Sequence, residues 1–187
     1  MAVVNRMRNL VALVVFGVGF GYVEAAVVAY LRRLLDFHSG YSMDATHVYL
    51  DLGFIAFVRP HQPVLGTGAV TSTEIAREAA TIVMLVAVAY LAADRPARRV
   101  AAFAVAFATW DLAYYLWLRV LTGWPASLMT TDVYFLIPVT WVGPVITPLL
   151  ISMIGLVGGA WWYLRGRAPA PGCRGRSRRC RPGRSCG

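Results

Sequence analysis

Residues 107–125 read "FATWDLAYYLWLRVLTGWP". The run is apolar and aromatic enough to cross a bilayer, yet it carries Asp111 near its middle. It belongs to a longer apolar stretch from about Val100 to Leu121, close to the ~20 residues that a membrane-spanning helix needs. The rest of the chain settles which solvent this stretch meets. Of 187 residues, 58% are hydrophobic and 14% charged, and the mean hydropathy is +0.59. A soluble domain carries about 25% charged residues. Aromatic and β-branched residues are plentiful, so the low charge does not signal disorder. The sequence therefore predicts an all-α fold, a helical transmembrane bundle of about four spans.

The other spans are read outward from this one. Residues 10–33 form an apolar run behind Arg6 and Arg8. "VEA" before Ala26 loosely resembles a cleavage site, but the apolar pattern continues through "AVVAYL", which favours a retained helix. The span over residues 72–93 is announced by "TSTE", in which Thr71 and Glu74 fit a capping box, and it stops before Pro96. The third span covers residues 99–121 and the fourth 145–164. Between the first two, "HVYLDLGFIAFV" is too short to span and is read as an interfacial helix or a partly inserted hairpin. Before the fourth, Pro138, Pro144 and Pro148 break the apolar run, and residues 131–144 are read as a bent or re-entrant entry. Residues 1–164 are expected to form one transmembrane domain.

The net charge of +9 is local. All 18 basic residues are Arg, and eight of them lie in the last 23 residues, which contain no acid. The remainder holds ten Arg against nine carboxylates. The segment 165–187 is expected to be a disordered cytoplasmic tail with affinity for anionic lipid headgroups. Nucleic acid is not an expected partner, because no aromatic residue is interleaved with the Arg. Cys173, Cys180 and Cys186 all lie in the tail and form no C-x-x-C pair. The Arg of the short loops favour both termini in the cytoplasm. Arg32 and Arg33 then sit on the wrong side and need another explanation.

Ionisable residues inside a span are expensive and mark function by default. Asp111 lies roughly 16 Å into a span about 33 Å long. It should face the bundle interior and have a partner, and Arg119 is the natural counter-charge. Tyr114, Tyr115 and Arg119 recur behind Asp111 at helical spacing. Glu24 shares a helical face with Gly17 and Gly21, whose small size lets another helix approach closely. Glu78 and Arg77 lie in the first turns of the second span. Pro148, Ser152, Gly155 and Gly159 form a stripe on the fourth span, suited to packing against the carboxylate-bearing helices. The depths of Glu24, Glu78 and Asp111 are similar enough for three helices to bring them together in the outer half of the bundle, with Arg32, Arg33, Arg77 and Arg119 nearby. In that arrangement Arg32 and Arg33 are partners of acids.

Three function classes follow. The favoured one is an accessory or assembly subunit whose charged residues fix partner helices. Four spans in 187 residues make a thin bundle, which suits a homodimer or a partner membrane subunit. The second is a pathway for protons, ions or a small solute through the same residues. The third is a metal site of Glu24, Glu78 and Asp111 with His47, a donor set suited to iron, manganese or zinc. His47 and Asp51, four apart, would be a further ligand pair on a helix. The Glu-x-x-His pattern of di-metal bundles is absent, and no cofactor is clearly indicated. No nucleophile elbow, phosphate loop, haem pair or H-E-x-x-H helix marks the chain as an enzyme. The aromatic residues Trp124, Trp141, Trp161, Trp162 and Tyr163 are expected in the interfacial belt or in packing.

The strings "REAATIVML", "WDLAYY", "GWPASL" and "FLIPVTWVGPVITP" resemble a family of small bacterial polytopic integral membrane proteins with no established activity. The resemblance covers roughly residues 10 to 160. It implies a bacterial inner-membrane location and carries no activity with it.

Overall fold

A computed structural model describes residues 2–34, 46–60 and 68–165. The Arg-rich tail beyond Arg165, with its cysteines, lies outside the described residues. Helices α1 (Ala2–Leu34), α2 (Gly68–Ala92), α3 (Pro96–Thr122) and α4 (Ile146–Arg165) are all long and apolar enough to cross a membrane. Strands β1 (Thr46–Asp51) and β2 (Ala56–Pro60) lie between α1 and α2, and β3 (Thr131–Phe135) and β4 (Thr140–Pro144) lie between α3 and α4.

The long α3 is the central helix, with α1 and α4 packed along it and α2 less extensively. Its ends follow from local chemistry. Pro96 occupies the first turn, where the missing N–H costs nothing, and Gly123 closes the C-terminus at φ 74° with its N–H on the Arg119 carbonyl. The close approach of α1 is permitted by glycine. A Cβ at Gly17 would lie 2.8 Å from the Thr109 Cβ, and one at Gly21 would lie 2.8 Å from the Trp110 carbonyl oxygen. Against the other side of α3, a Cβ at Gly159 would stand 3.2 Å from the Ala101 carbonyl oxygen. Both small-residue faces legible in the sequence thus pack on α3.

One end of the bundle is closed by apolar packing of Leu13, Leu85, Ala89, Ala102 and Val105. There the Ala92 carbonyl at the end of α2 accepts from Asn9 Nδ2 (3.2 Å) and the Tyr163 hydroxyl (2.6 Å). The second end is different. The two hairpins join into one antiparallel sheet of order β1-β2-β4-β3, with Phe57 opposite Trp141 and Val133 opposite Val142.

The sheet corrects the all-α expectation. The segment read as an interfacial helix or a partly inserted hairpin is the β1–β2 hairpin. Its alternation, Ala56 and Val58 buried against Phe57 and Arg59 less so, has the period of a strand. The turn is set by Gly53 at φ 81°, whose N–H bonds Asp51 Oδ1 at 2.7 Å. The segment predicted as bent or re-entrant is the β3–β4 hairpin. Its Thr, Val, Tyr, Phe and Trp favour a pleated surface, and its prolines fall between the strands and at the end of β4. A Cβ at Gly143 would lie 2.5 Å from the Tyr134 hydroxyl and 2.6 Å from the Phe54 carbonyl, so β4 needs glycine where these groups cross. The second helix also starts at Gly68, so Thr71 is already helical and does not open it.

Candidate functional site

Between the sheet and the helix ends lies a cavity of about 260 Å³. It is lined by the C-terminal half of α1, the first turns of α2 and α4, the second half of α3, and the inner face of β3 and β4. Five carboxylates (Glu24, Glu74, Glu78, Asp111, Asp132) and two guanidiniums (Arg32, Arg77) line it. Six of the residues expected to form a polar cluster, Glu24, Arg77, Glu78, Asp111, Tyr114 and Tyr115, meet here.

The first group is a charged triad. Arg77 pairs with Glu24 on α1 and donates to Glu74 on its own helix, with Nε and Nη2 at 2.8 and 2.7 Å from Oε2. The Thr81 hydroxyl adds a 2.7 Å bond to Glu24 Oε1. Both Glu side chains are buried, and the i, i+3 spacing of Glu74 and Arg77 places them on one helical face.

The other three carboxylates have neutral partners. Asp111 accepts from the Ser152 hydroxyl of α4 at 2.8 Å. Glu78 accepts from the backbone N–H of Leu136 at 2.8 Å, which ties the β3–β4 hairpin to α2. Asp132 accepts from the Tyr115 hydroxyl at 2.9 Å. Asp132 and Tyr134 lie outside the helices. Burial pushes the Asp132 carboxyl up to about 6, although the Tyr115 bond and the Arg32 charge pull the other way. Burial likewise pushes the Tyr134 phenol up to about 12. Tyr134 donates to the Pro144 carbonyl at 2.6 Å and braces the hairpin.

The walls are aromatic. Phe107, Trp110, Tyr114 and Phe135 pack ring against ring at 5.3–6.4 Å, and Trp141 meets Phe135 edge-on at 6.4 Å. The Arg32 guanidinium lies 3.9 Å from the ring centre of Trp124. The indole N–H groups of Trp110 and Trp141 are buried and have no hydrogen-bond partner among the described residues.

Several expectations are corrected by this geometry. Arg119 does not pair with Asp111. It reaches past the end of α3 to the carbonyls of Gly123 and Pro125, because an exposed guanidinium finds the free C-terminal carbonyls of its own helix first. Arg33 points to the Leu121 carbonyl at 3.5 Å, not to an acid, whereas Arg32 does face Asp132 across the cavity. His47 is exposed on β1 and packs on Tyr49, away from the cavity lining. Its pairing with Asp51 assumed a helix. Four residues along a strand span roughly 13 Å, and Asp51 is engaged in its own turn. Among the described residues no group of three or more His, Cys, Asp or Glu side chains could hold a metal ion. The set Glu24, Glu78, Asp111 and His47 is therefore not assembled as a metal site.

Sequence reasoning missed Asp132, Trp124, Trp141 and Tyr134 as lining residues. Asp132 was the recoverable one, an acid isolated in the apolar run before α4. The tryptophans read as interfacial belt because nothing local distinguishes a belt indole from a cavity wall. No family model, curated protein or solved structure matches the chain.

Proposed function

We propose that the chain is a membrane protein that binds a small solute in the sheet-capped cavity, as the binding step of its passage or uptake. The observation that carries this reading is the convergence of five carboxylates and two Arg, from α1, α2, α3 and β3, on one cavity of about 260 Å³. A cavity near the lower end of the ~300–1,000 Å³ typical of ligand sites suits a small molecule. The apolar packing at the opposite end of the bundle leaves the sheet end as the way in. By the distribution of Arg, that end faces outward.

An accessory subunit that fixes partner helices through its charges needs those charges on its outer surface. Here they turn inward, against the chain's own sheet, which favours the solute-binding reading. The test is a thermal-shift screen of small solutes against the detergent-purified protein. A ligand at 100 times its Kd stabilises by roughly 2.7 kcal/mol. At least one solute is expected to raise the melting temperature of the wild type and not of Glu78→Gln or Asp132→Asn. Solutes that stabilise all three equally, or none that stabilises the wild type, would contradict the reading.

A further inference from the structure

We infer that the solute is a small organic monocation, an alkyl-substituted ammonium. This rests on the solute-binding reading and names the chemical class that the cavity recognises.

Charge comes first. The triad sets Glu24 and Glu74 against Arg77, which also acts on Glu78, and Arg32 is the one other guanidinium lining the cavity beside Asp111 and Asp132. Glu78, Asp111 and Asp132 each hold a neutral donor on one oxygen, and among the described residues none of the three has a guanidinium within bonding distance. An anion would be repelled. A neutral apolar solute would bury these acids with nothing to compensate them, a costly arrangement.

The walls come second. A hard inorganic cation takes six or more oxygen ligands, and the acids here do not assemble into a ligand set. Aromatic faces instead attract cations whose charge is spread over an apolar surface, worth about 2 kcal/mol or more when desolvated. The chain already uses a cavity ring in this way, with Arg32 held 3.9 Å above Trp124. Trp110, Tyr114, Phe135 and Trp141 supply further faces.

Choline and its uncharged carbon isostere, 3,3-dimethylbutan-1-ol, have the same shape and hydroxyl and differ in charge. Calorimetric titration of the full chain in phosphatidylglycerol nanodiscs is expected to show saturable choline binding, at least about tenfold tighter than the isostere. Glu78→Gln and Trp110→Phe are each expected to weaken choline several-fold. Equal binding of the two compounds would overturn the cation assignment while leaving the solute-binding reading intact. Absence of saturable choline binding would overturn it as well, and the solute screen would then judge the cavity separately. If the variants fail to fold, the comparison of choline with its isostere on the wild type decides alone. Repeating the titration in phosphatidylcholine nanodiscs separates the sources. Lost binding of free choline assigns the site to a lipid headgroup, retained binding assigns it to a free cation, and either result upholds the class.

Discussion

Asp111 is held in an apolar helix by a hydroxyl, not by a counter-charge: Ser152 of α4 donates to it at 2.8 Å. Arg77 has the opposite role, as one cation holding two buried acids from different helices. Removing one partner of a buried pair leaves uncompensated charge and costs roughly 3–5 kcal/mol. Arg77→Met is therefore expected to lower the melting temperature sharply. Arg77→Met with Glu24→Gln and Glu74→Gln should recover much of the loss, because it removes the stranded charges too. A single variant that melts like the wild type in detergent would contradict the triad. Asp132 gives a pH prediction. Its carboxyl is raised by burial from 3.8 to about 6, so the fold holds its proton more tightly than the unfolded chain does. The stability it contributes is fully present below about pH 4 and is lost as pH rises through about 6. Tyr114, Tyr115 and Asp111 on α3, Tyr134 on its own strand and Arg32 on α1 are the groups that act on it. Comparing melts between pH 4 and 7, the wild type should lose more stability than Asp132→Asn. Parallel curves would remove Asp132 from the account. Of these residues the sequence exposed Asp111, Glu24, Glu78 and Arg77, because acids and Arg in apolar runs cost too much to be incidental. It did not expose their pairings, since Arg119 at i+8 and Ser152 on another helix are equally compatible with one-dimensional spacing.

At the scale of elements, glycine decides where α1 sits. A Cβ at Gly21 would stand 2.8 Å from the Trp110 carbonyl oxygen and 2.9 Å from the Tyr114 nitrogen, both backbone atoms that cannot swing aside. Gly21→Ala should push α1 off α3, costing about 1–3 kcal/mol as overpacking does, and should disturb Glu24 one turn away. Gly19→Ala meets nothing within 4 Å and should leave the melting temperature unchanged or slightly raised, since alanine favours the helix by up to ~1 kcal/mol. Equal effects of the two substitutions would mean that α1 does not cross α3 at Gly21. The helices were legible because four apolar runs of spanning length leave little choice. Of the hairpins, the first was legible only as an alternative to an interfacial helix, and the second was not legible. "HVYLDLGFIAFV" and "DVYFLIPVTWVGP" are short apolar segments, for which periodicity separates strand from helix poorly. Their β-branched and aromatic content was the available signal. Each hairpin is stabilised by pairing with the other, across about 80 residues of sequence, and that is invisible locally.

The whole molecule follows from those two pairings. Two connections on the same side of a four-helix bundle each supply a hairpin, and together they roof a cavity that the helices alone would leave open. Open sheet edges do not face lipid, so the proposed function places the roof at the aqueous end, as the side of solute entry. That the polar residues would converge was legible from their depths. That they would enclose a walled cavity was not, because the sheet and the aromatic walls come from segments read as something else. The central claim is that this cavity is water-accessible and acidic. The most direct measurement is thiol labelling in a protein whose Cys173, Cys180 and Cys186 are replaced by Ser. Val28→Cys places a thiol on the α1 surface that lines the cavity, and Val23→Cys places one on its exposed apolar face. The account predicts that Val28→Cys in proteoliposomes reacts with a trimethylammonium-bearing thiosulfonate about tenfold faster than with a sulfonate-bearing one, while Val23→Cys reacts with neither. A Val28→Cys thiol that is inert to both reagents, or that reacts with both at equal rates, would contradict it.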